Sequence, residues 1–167
     1  MKKTILIIAV ILFVVGLSAT DFKHSLGFAG GMISGSGFAY RQMNDNYGFQ
    51  VTFGITMSDE DYFGSVGFEY IKPLHTGNRT KFYVLTGVSS YFSYYEDDYY
   101  YYDDDVSKTQ EFDVIFNTGL GIGIEWQILP NNPNFKFSFD WPIVLSFDED
   151  KFNIFMYIPQ GGIHYYF

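Results

Sequence analysis

The chain has no cysteine, only five prolines and three histidines, and ten Lys plus Arg in 167 residues. Each scarcity removes a class of protein. Without cysteine there is no disulfide framework and no sulfur to carry a lipid anchor. Nineteen carboxylates against ten cations give a net charge of −9, the wrong sign for holding nucleic acid. Only His24, His75 and His164 are available as bases, and no Gly-x-Ser-x-Gly or His-Glu-x-x-His pattern occurs. Long apolar runs are missing too. The one candidate, residues 4–15, is shorter than the roughly 20 residues a membrane helix needs. Aromatic residues, by contrast, make up 22% of the chain. A soluble domain of this length has little interior in which to bury so many rings.

The apolar run has a different use. Met1-Lys2-Lys3 is a positive n-region, residues 4–15 form an apolar h-region, and Gly16-Leu17-Ser18-Ala19 supplies small residues for cleavage. This is the pattern of a secretory signal peptide. The expected organisation is therefore a signal peptide over 1–19 and a single mature domain over 20–167. Taking away Lys2 and Lys3 moves the mature net charge from −9 to −11.

Period-2 alternation recurs along the mature chain. One face of the clearest stretch reads Phe112, Val114, Phe116, Thr118, Leu120, Ile122, Ile124, Trp126 and Ile128. Its other face carries Asp113, Asn117, Gly119, Gly121, Gly123, Glu125 and Gln127. Strands are expected near 23–32, 35–42, 47–57, 61–72, 80–93, 111–128, 135–147 and 152–167. Several exceed the usual strand length of about 5–6 residues and match the roughly 9–11 of a tilted membrane strand. Alternation also explains a mean hydropathy close to zero, since lipid-facing and lumen-facing residues average out. The expected fold is all-β: a closed, eight-stranded, antiparallel up-and-down transmembrane β-barrel, preceded by the cleaved signal peptide.

The connections fall into two classes. Those around Asn44-Asp45-Asn46, His75-Thr76-Gly77-Asn78 and Pro130-Asn131-Asn132-Pro133 are Asn/Gly/Pro turns. Those around Ser58-Asp59-Glu60-Asp61, over 96–110 and at Asp148-Glu149-Asp150 are acidic, and one is long. With both termini in the periplasm, the acidic set lies outside the cell, where barrels carry longer loops. The first connection, around Ser34-Gly35-Ser36, is short and fits neither class. On the outward register Tyr40, Tyr47, Tyr70, Trp126 and Tyr165 all fall near the turn end, as an interfacial aromatic girdle does. Pro142 and Pro159 lie inside expected strands, so a β-bulge is expected at one or both.

The final residues, Gly161-Gly162-Ile163-His164-Tyr165-Tyr166-Phe167, alternate apolar positions up to a terminal Phe. This ending resembles the C-terminal assembly signal of bacterial outer-membrane β-barrel proteins. Together with the signal peptide, it makes the chain similar to the small eight-stranded barrels, the group of OmpX and the membrane domain of OmpA. The resemblance implies residence in the bacterial outer membrane, among its lipid. It also implies insertion by the barrel-assembly machinery through Ile163, Tyr165 and Phe167. It transfers no ligand, because one scaffold hosts unlike functions.

The inward register holds Arg41, Gln50, Glu69, Asn117, Glu125, Lys136, Asp140 and His164. Of these Arg41, Glu69, Glu125, Lys136 and His164 are expected to meet as a polar cluster across the lumen. A plug of paired, hydrogen-bonded charges is the favoured interpretation; a narrow ion or small-solute path past His164 is the alternative. Barrel enzymes that modify lipid A use a Ser/His/acid set, which these three histidines are poorly placed to supply, so a non-enzyme is expected. A soluble lipocalin-like binder would need an apolar lumen, and the inward register here is Gly-, Ser- and charge-rich. The loop expected over 94–110 includes Tyr99, Tyr100, Tyr101, Tyr102, Asp103, Asp104 and Asp105. It is a candidate surface for an extracellular protein, or for divalent cations bridging to lipopolysaccharide. No cofactor and no nucleic acid are expected, and the barrel is expected to be a monomer.

Overall fold

The computed structural model describes residues 23–58, 61–100, 106–149, 151–156 and 158–167. The expected signal peptide, 1–19, lies outside them. Nine antiparallel segments run in chain order: β1 Lys23–Gly31, β2 Gly35–Met43, β3 Gly48–Met57, β4 Tyr62–Thr76, β5 Thr80–Tyr100, β6 Val106–Leu129, β7 Asn132–Asp148, β8 Lys151–Phe155 and β9 Gln160–Tyr166. Each of β1 to β7 pairs with its sequence neighbour, and β9 pairs with both β7 and β1, which closes the ring. Segments β8 and β9 both pair with β7 and together form one final stave. The structure is therefore a closed eight-stranded antiparallel barrel.

The interruption in the last stave falls at Pro159. On β7 the ladder runs from Val144↔Phe155 to Asp140↔Gln160, so four steps on one strand oppose five on the other. The extra residue reverses the facing. In β9 the even-numbered Gln160, His164 and Tyr166 are buried. In β8 the odd-numbered Phe155 packs on the core, while Phe152 and Ile154 are exposed. Pro142 causes no bulge. Its pairing with Gly121 on β6 is in register, and on its other side the ladder is already broken, where no partner needs the missing N–H. The Trp141 indole spans that break, donating from Nε1 to the Met156 carbonyl at 2.9 Å.

Two differences from expectation concern the far end of the barrel, away from the short turns. Pairing of β5 with β6 continues from Tyr94↔Phe112 to Tyr100↔Val106. Residues 94–100 and 106–110 are thus strand, not loop; Tyr101, Tyr102, Asp103, Asp104 and Asp105 lie outside the described residues. Tyr favours the pleated conformation, so the acidic composition does not end the ladder.

The second difference is the first connection. It lies at the end of the acidic ones, yet it folds inward. Ile33 is fully buried, seated where a Cβ on Gly87 or Gly119 would come within 2.6 Å of its side chain. The Met32 carbonyl accepts from Ser89 Oγ, and the Gly31 carbonyl from Tyr91 Oη at 2.5 Å. The Ser36 amide donates to Ser65 Oγ at 2.9 Å. Gly35 (φ 72°) and Gly37 (φ 139°) give the chain the left-handed geometry that this reversal needs. With β1 and β2 only 9 residues long against 21 and 24 for β5 and β6, the turn sits deep inside the taller wall.

Gly87→Ala is expected to crowd Ile33 Cγ2 and the Phe68 carbonyl, each 2.6 Å from the added Cβ, and Gly119→Ala the Ile143 carbonyl at 2.2 Å and Ile33 Cδ1 at 2.6 Å, at a cost of about 1–3 kcal/mol each. Gly30→Ala, whose nearest neighbour would be Ser36 Oγ at 3.8 Å, should be close to neutral. Urea unfolding from lipid vesicles measures each, and a Gly87→Ala penalty that does not shrink when Ile33 is also replaced by Ala would contradict the inward turn.

Candidate functional site in the barrel lumen

Closing eight staves fixes which residues share the lumen. Among the described residues the buried set contains fifteen polar or charged side chains and eight hydrophobic ones. Large apolar residues such as Phe28, Phe53, Leu120, Ile122 and Trp141 are exposed on the outer wall. This polarity is inverted relative to a water-soluble domain and suits a lipid surround.

The polar groups join from stave to stave. Glu125 is the hub: Oε2 accepts from Arg41 Nη1 at 3.1 Å and from Tyr166 Oη at 2.6 Å, and Oε1 accepts from Lys136 Nζ at 3.2 Å. Arg41 Nε donates to Gln50 Oε1 at 2.9 Å, and Gln50 Nε2 donates to Glu69 Oε2 at 2.9 Å. Gln160 Nε2 donates to Glu69 Oε1 at 2.6 Å. The other end of that amide, Gln160 Oε1, accepts from the Ile33 and Ser34 amides at 3.3 and 3.4 Å. One hydrogen-bonded string thus runs from Lys136 to the inward turn. Gln50 separates the Arg41–Glu125–Lys136 group from Glu69, and both oxygens of each buried carboxylate on the string are satisfied. Tyr83 Oη donates to Asp140, and the Arg41 guanidinium lies 5.9 Å from the centre of the Tyr83 ring.

Of the five residues expected to cluster, Arg41, Glu125 and Lys136 are in direct contact, and Glu69 is reached through Gln50. His164 stands apart. It is buried and hydrogen-bonded through Nε2 to Ser138 Oγ at 3.3 Å, with no partner for Nδ1 among the described residues. Sequence reasoning did not assign the joints, Gln160, Tyr83 and Tyr166. Their parity on the inward register was the available signal; aromatic character argued for the outer wall.

The aromatic set stands on the outer wall. Tyr47 stacks with Tyr70 at 6.5 Å, Trp126 packs on Phe137 at 4.7 Å, Tyr40 Oη is bonded to His24 Nδ1 at 2.7 Å, and Tyr165 is exposed. Ile163 and Phe167 are also exposed. The Phe167 amide still donates to the His24 carbonyl at 2.8 Å, so the chain end is held against β1.

Glu125→Gln leaves Arg41 and Lys136 without their counter-charge and is expected to cost about 3–5 kcal/mol. Tyr166→Phe, which removes one hydrogen bond to the carboxylate, should cost about 1.5–3 kcal/mol. Reversible urea unfolding in vesicles gives the ranking, and a smaller loss for Glu125→Gln than for Tyr166→Phe would contradict the hub.

No protein-family model matches the chain, and no curated protein matches it in sequence. Solved structures do align with it. The N-terminal β-barrel domain of Pseudomonas aeruginosa OprF is 13% identical, with 87% of this chain and 96% of that chain covered, at a TM-score of 0.49. The crystal structure of Yersinia pestis Ail, the attachment invasion locus protein, is 15% identical, with 87% and 97% covered, at 0.36. Ail in a phospholipid bilayer nanodisc is 14% identical, with 87% and 98% covered, also at 0.36. By its closed ladder and inverted polarity, the chain has the architecture of the small eight-stranded β-barrels of the bacterial outer membrane.

Proposed function

We propose that this barrel has a plugged lumen and serves the outer membrane as a structural or surface-interaction protein through its long acidic, Tyr-rich hairpin, residues 94–110. The observation that carries the first half is the string from Lys136 to Ile33, which occupies the lumen with bonded side chains and an inward turn. An eight-stranded barrel has room for little more than its own side chains. The second half follows from length and composition. Strands β5 and β6 run 21 and 24 residues, where about 9–11 cross a bilayer, so the hairpin projects well beyond it. Between 91 and 105 the chain carries seven tyrosines and six carboxylates. Tyr offers broad contact at small entropic cost, which suits an extracellular protein partner. The carboxylates also suit divalent cations bridging to lipopolysaccharide.

On this proposal the short turns face the periplasm, and Tyr40, Tyr47, Tyr70, Trp126 and Tyr165 form the periplasmic girdle. Residues 1–19 are the removed signal peptide, and Ile163, Tyr165 and Phe167 present the last strand to the barrel-assembly machinery. The chain works as a monomer, without cofactor and without catalysis.

A narrow channel is the competing function. Two buried polar atoms without partners among the described residues, Asn117 Oδ1 and His164 Nδ1, favour it as points where water would enter. Planar-bilayer recording decides. The plug predicts electrical silence from the refolded mature chain, and reproducible conductance steps altered by His164→Ala would establish the channel. Trimming the hairpin to join residue 93 to 112 through a two-residue turn should leave a detergent-stable barrel and abolish surface binding. Retained binding would place the interaction elsewhere.

A further inference from the structure

We propose that the mouth at the short-turn end is an oxyanion-binding vestibule that takes a phosphate-bearing ligand. A recess of about 340 Å³ opens there, lined by Lys23, Arg79, Lys81 and Lys136, with Glu125 and Tyr166 among its walls. Among the described residues Glu125 is the only carboxylate lining it, and both its oxygens are already taken by Arg41, Lys136 and Tyr166. Lys136 is engaged by that carboxylate and lies 4.7 Å from the centre of the Tyr166 ring. The other three cations have no such partner. Among the described residues no carboxylate stands within 4.0 Å of Lys23, Arg79 or Lys81. Lys81, partly buried, donates to the Met43 thioether at 3.4 Å, a weak acceptor for an ammonium. Asp45 is the one further carboxylate in the turns of this end, and it is solvent-exposed.

Three cations with no carboxylate within 4.0 Å among the described residues line one recess, Lys81 partly buried and Lys23 and Arg79 exposed, in a chain whose net charge is −9. Among the described residues Asp61, Asp148 and Glu149 stand at the opposite end. Like charges gathered in a partly enclosed space repel, and an anion placed between them relieves that repulsion while accepting charge-assisted hydrogen bonds. A phosphate group fits best. It accepts from several directions at once, taking the planar fork of Arg79 on one side and the point charges of Lys23 and Lys81 on others. The recess is entered from the aqueous mouth, which on the proposed orientation is the periplasm. The inference itself requires neither the hairpin's role nor a blocked lumen. The phosphate has two possible sources, a soluble periplasmic phosphate ester or the headgroup of an anionic lipid in the adjacent leaflet.

The test uses the mature chain folded in non-ionic detergent, titrated calorimetrically with inorganic pyrophosphate. Saturable binding at one site is expected, weakening as salt rises. Arg79→Gln and Lys81→Gln should each weaken it about tenfold or more, Lys81→Arg should retain it, and Lys151→Gln at the opposite end should leave it unchanged. The boiled-versus-unboiled gel shift shows that each variant is folded. Repeating the titration in nanodiscs separates the sources. Loss of pyrophosphate binding in phosphatidylglycerol but not phosphatidylcholine discs identifies the lipid headgroup, and binding in both identifies a soluble ligand. Absence of binding in detergent, or equal binding by the folded Arg79→Gln and Lys81→Gln proteins, overturns the proposal.

Discussion

Everything in this molecule depends on one constraint: within lipid no backbone N–H or C=O can be left without a partner. An isolated sheet fails because its edges are open, so β9 must return to β1 and close the ladder. Closure then fixes parity, since a strand paired on both sides has one face to lipid and one to the lumen, with no freedom to rotate. The apolar outer wall and the polar lumen are two consequences of that one geometry. Where the ladder does break, beside Pro142 and Pro159, the molecule compensates locally. One proline faces the gap, and the Trp141 indole binds a carbonyl within it.

Parity forces charged side chains into a narrow interior, and the structure meets their desolvation cost by distribution. Glu125 is set between two cations and a phenol, so three donors share one carboxylate. Gln50 and Gln160 act as spacers, each accepting on one side and donating to Glu69 on the other. This arrangement couples the two ends of the lumen through bonded groups. Such linkage stabilises one lumen geometry rather than allowing many.

Much of this was legible in the residues. The alternation at 112–128 and 135–147 defined two full staves and their facing, because a lipid-exposed strand cannot tolerate a lapse in pattern. The inward placement of Arg41, Glu69, Glu125 and Lys136 follows from the same parity. Three things were not legible. The facing of 152–158 depends on one extra residue near Pro159, and a single insertion leaves no compositional trace. The hairpin's ladder beyond Tyr94 was masked by acidity, which signals solvent but not the absence of pairing. The inward turn at Met32-Ile33 rests on glycines far along the chain, Gly87 and Gly119, whose spatial conjunction no local window reveals. Its one local mark was apolar residues in a connection whose counterparts at the same end are acidic.

The central claim is a closed barrel with its apolar face in lipid, and the chain's two tryptophans report on it directly. Trp141 lies midway along β7 and Trp126 near the short-turn end, both on the outer register. Fluorescence of the Trp126→Phe and Trp141→Phe proteins, reconstituted in vesicles of lipids brominated at graded acyl depths, measures where each indole sits. The account predicts that Trp141 is quenched most by deep bromines and Trp126 by shallow ones, with little quenching of Trp141 by aqueous acrylamide. Strong acrylamide quenching of Trp141 with no response to brominated lipid would contradict it, because the outer wall would then face water.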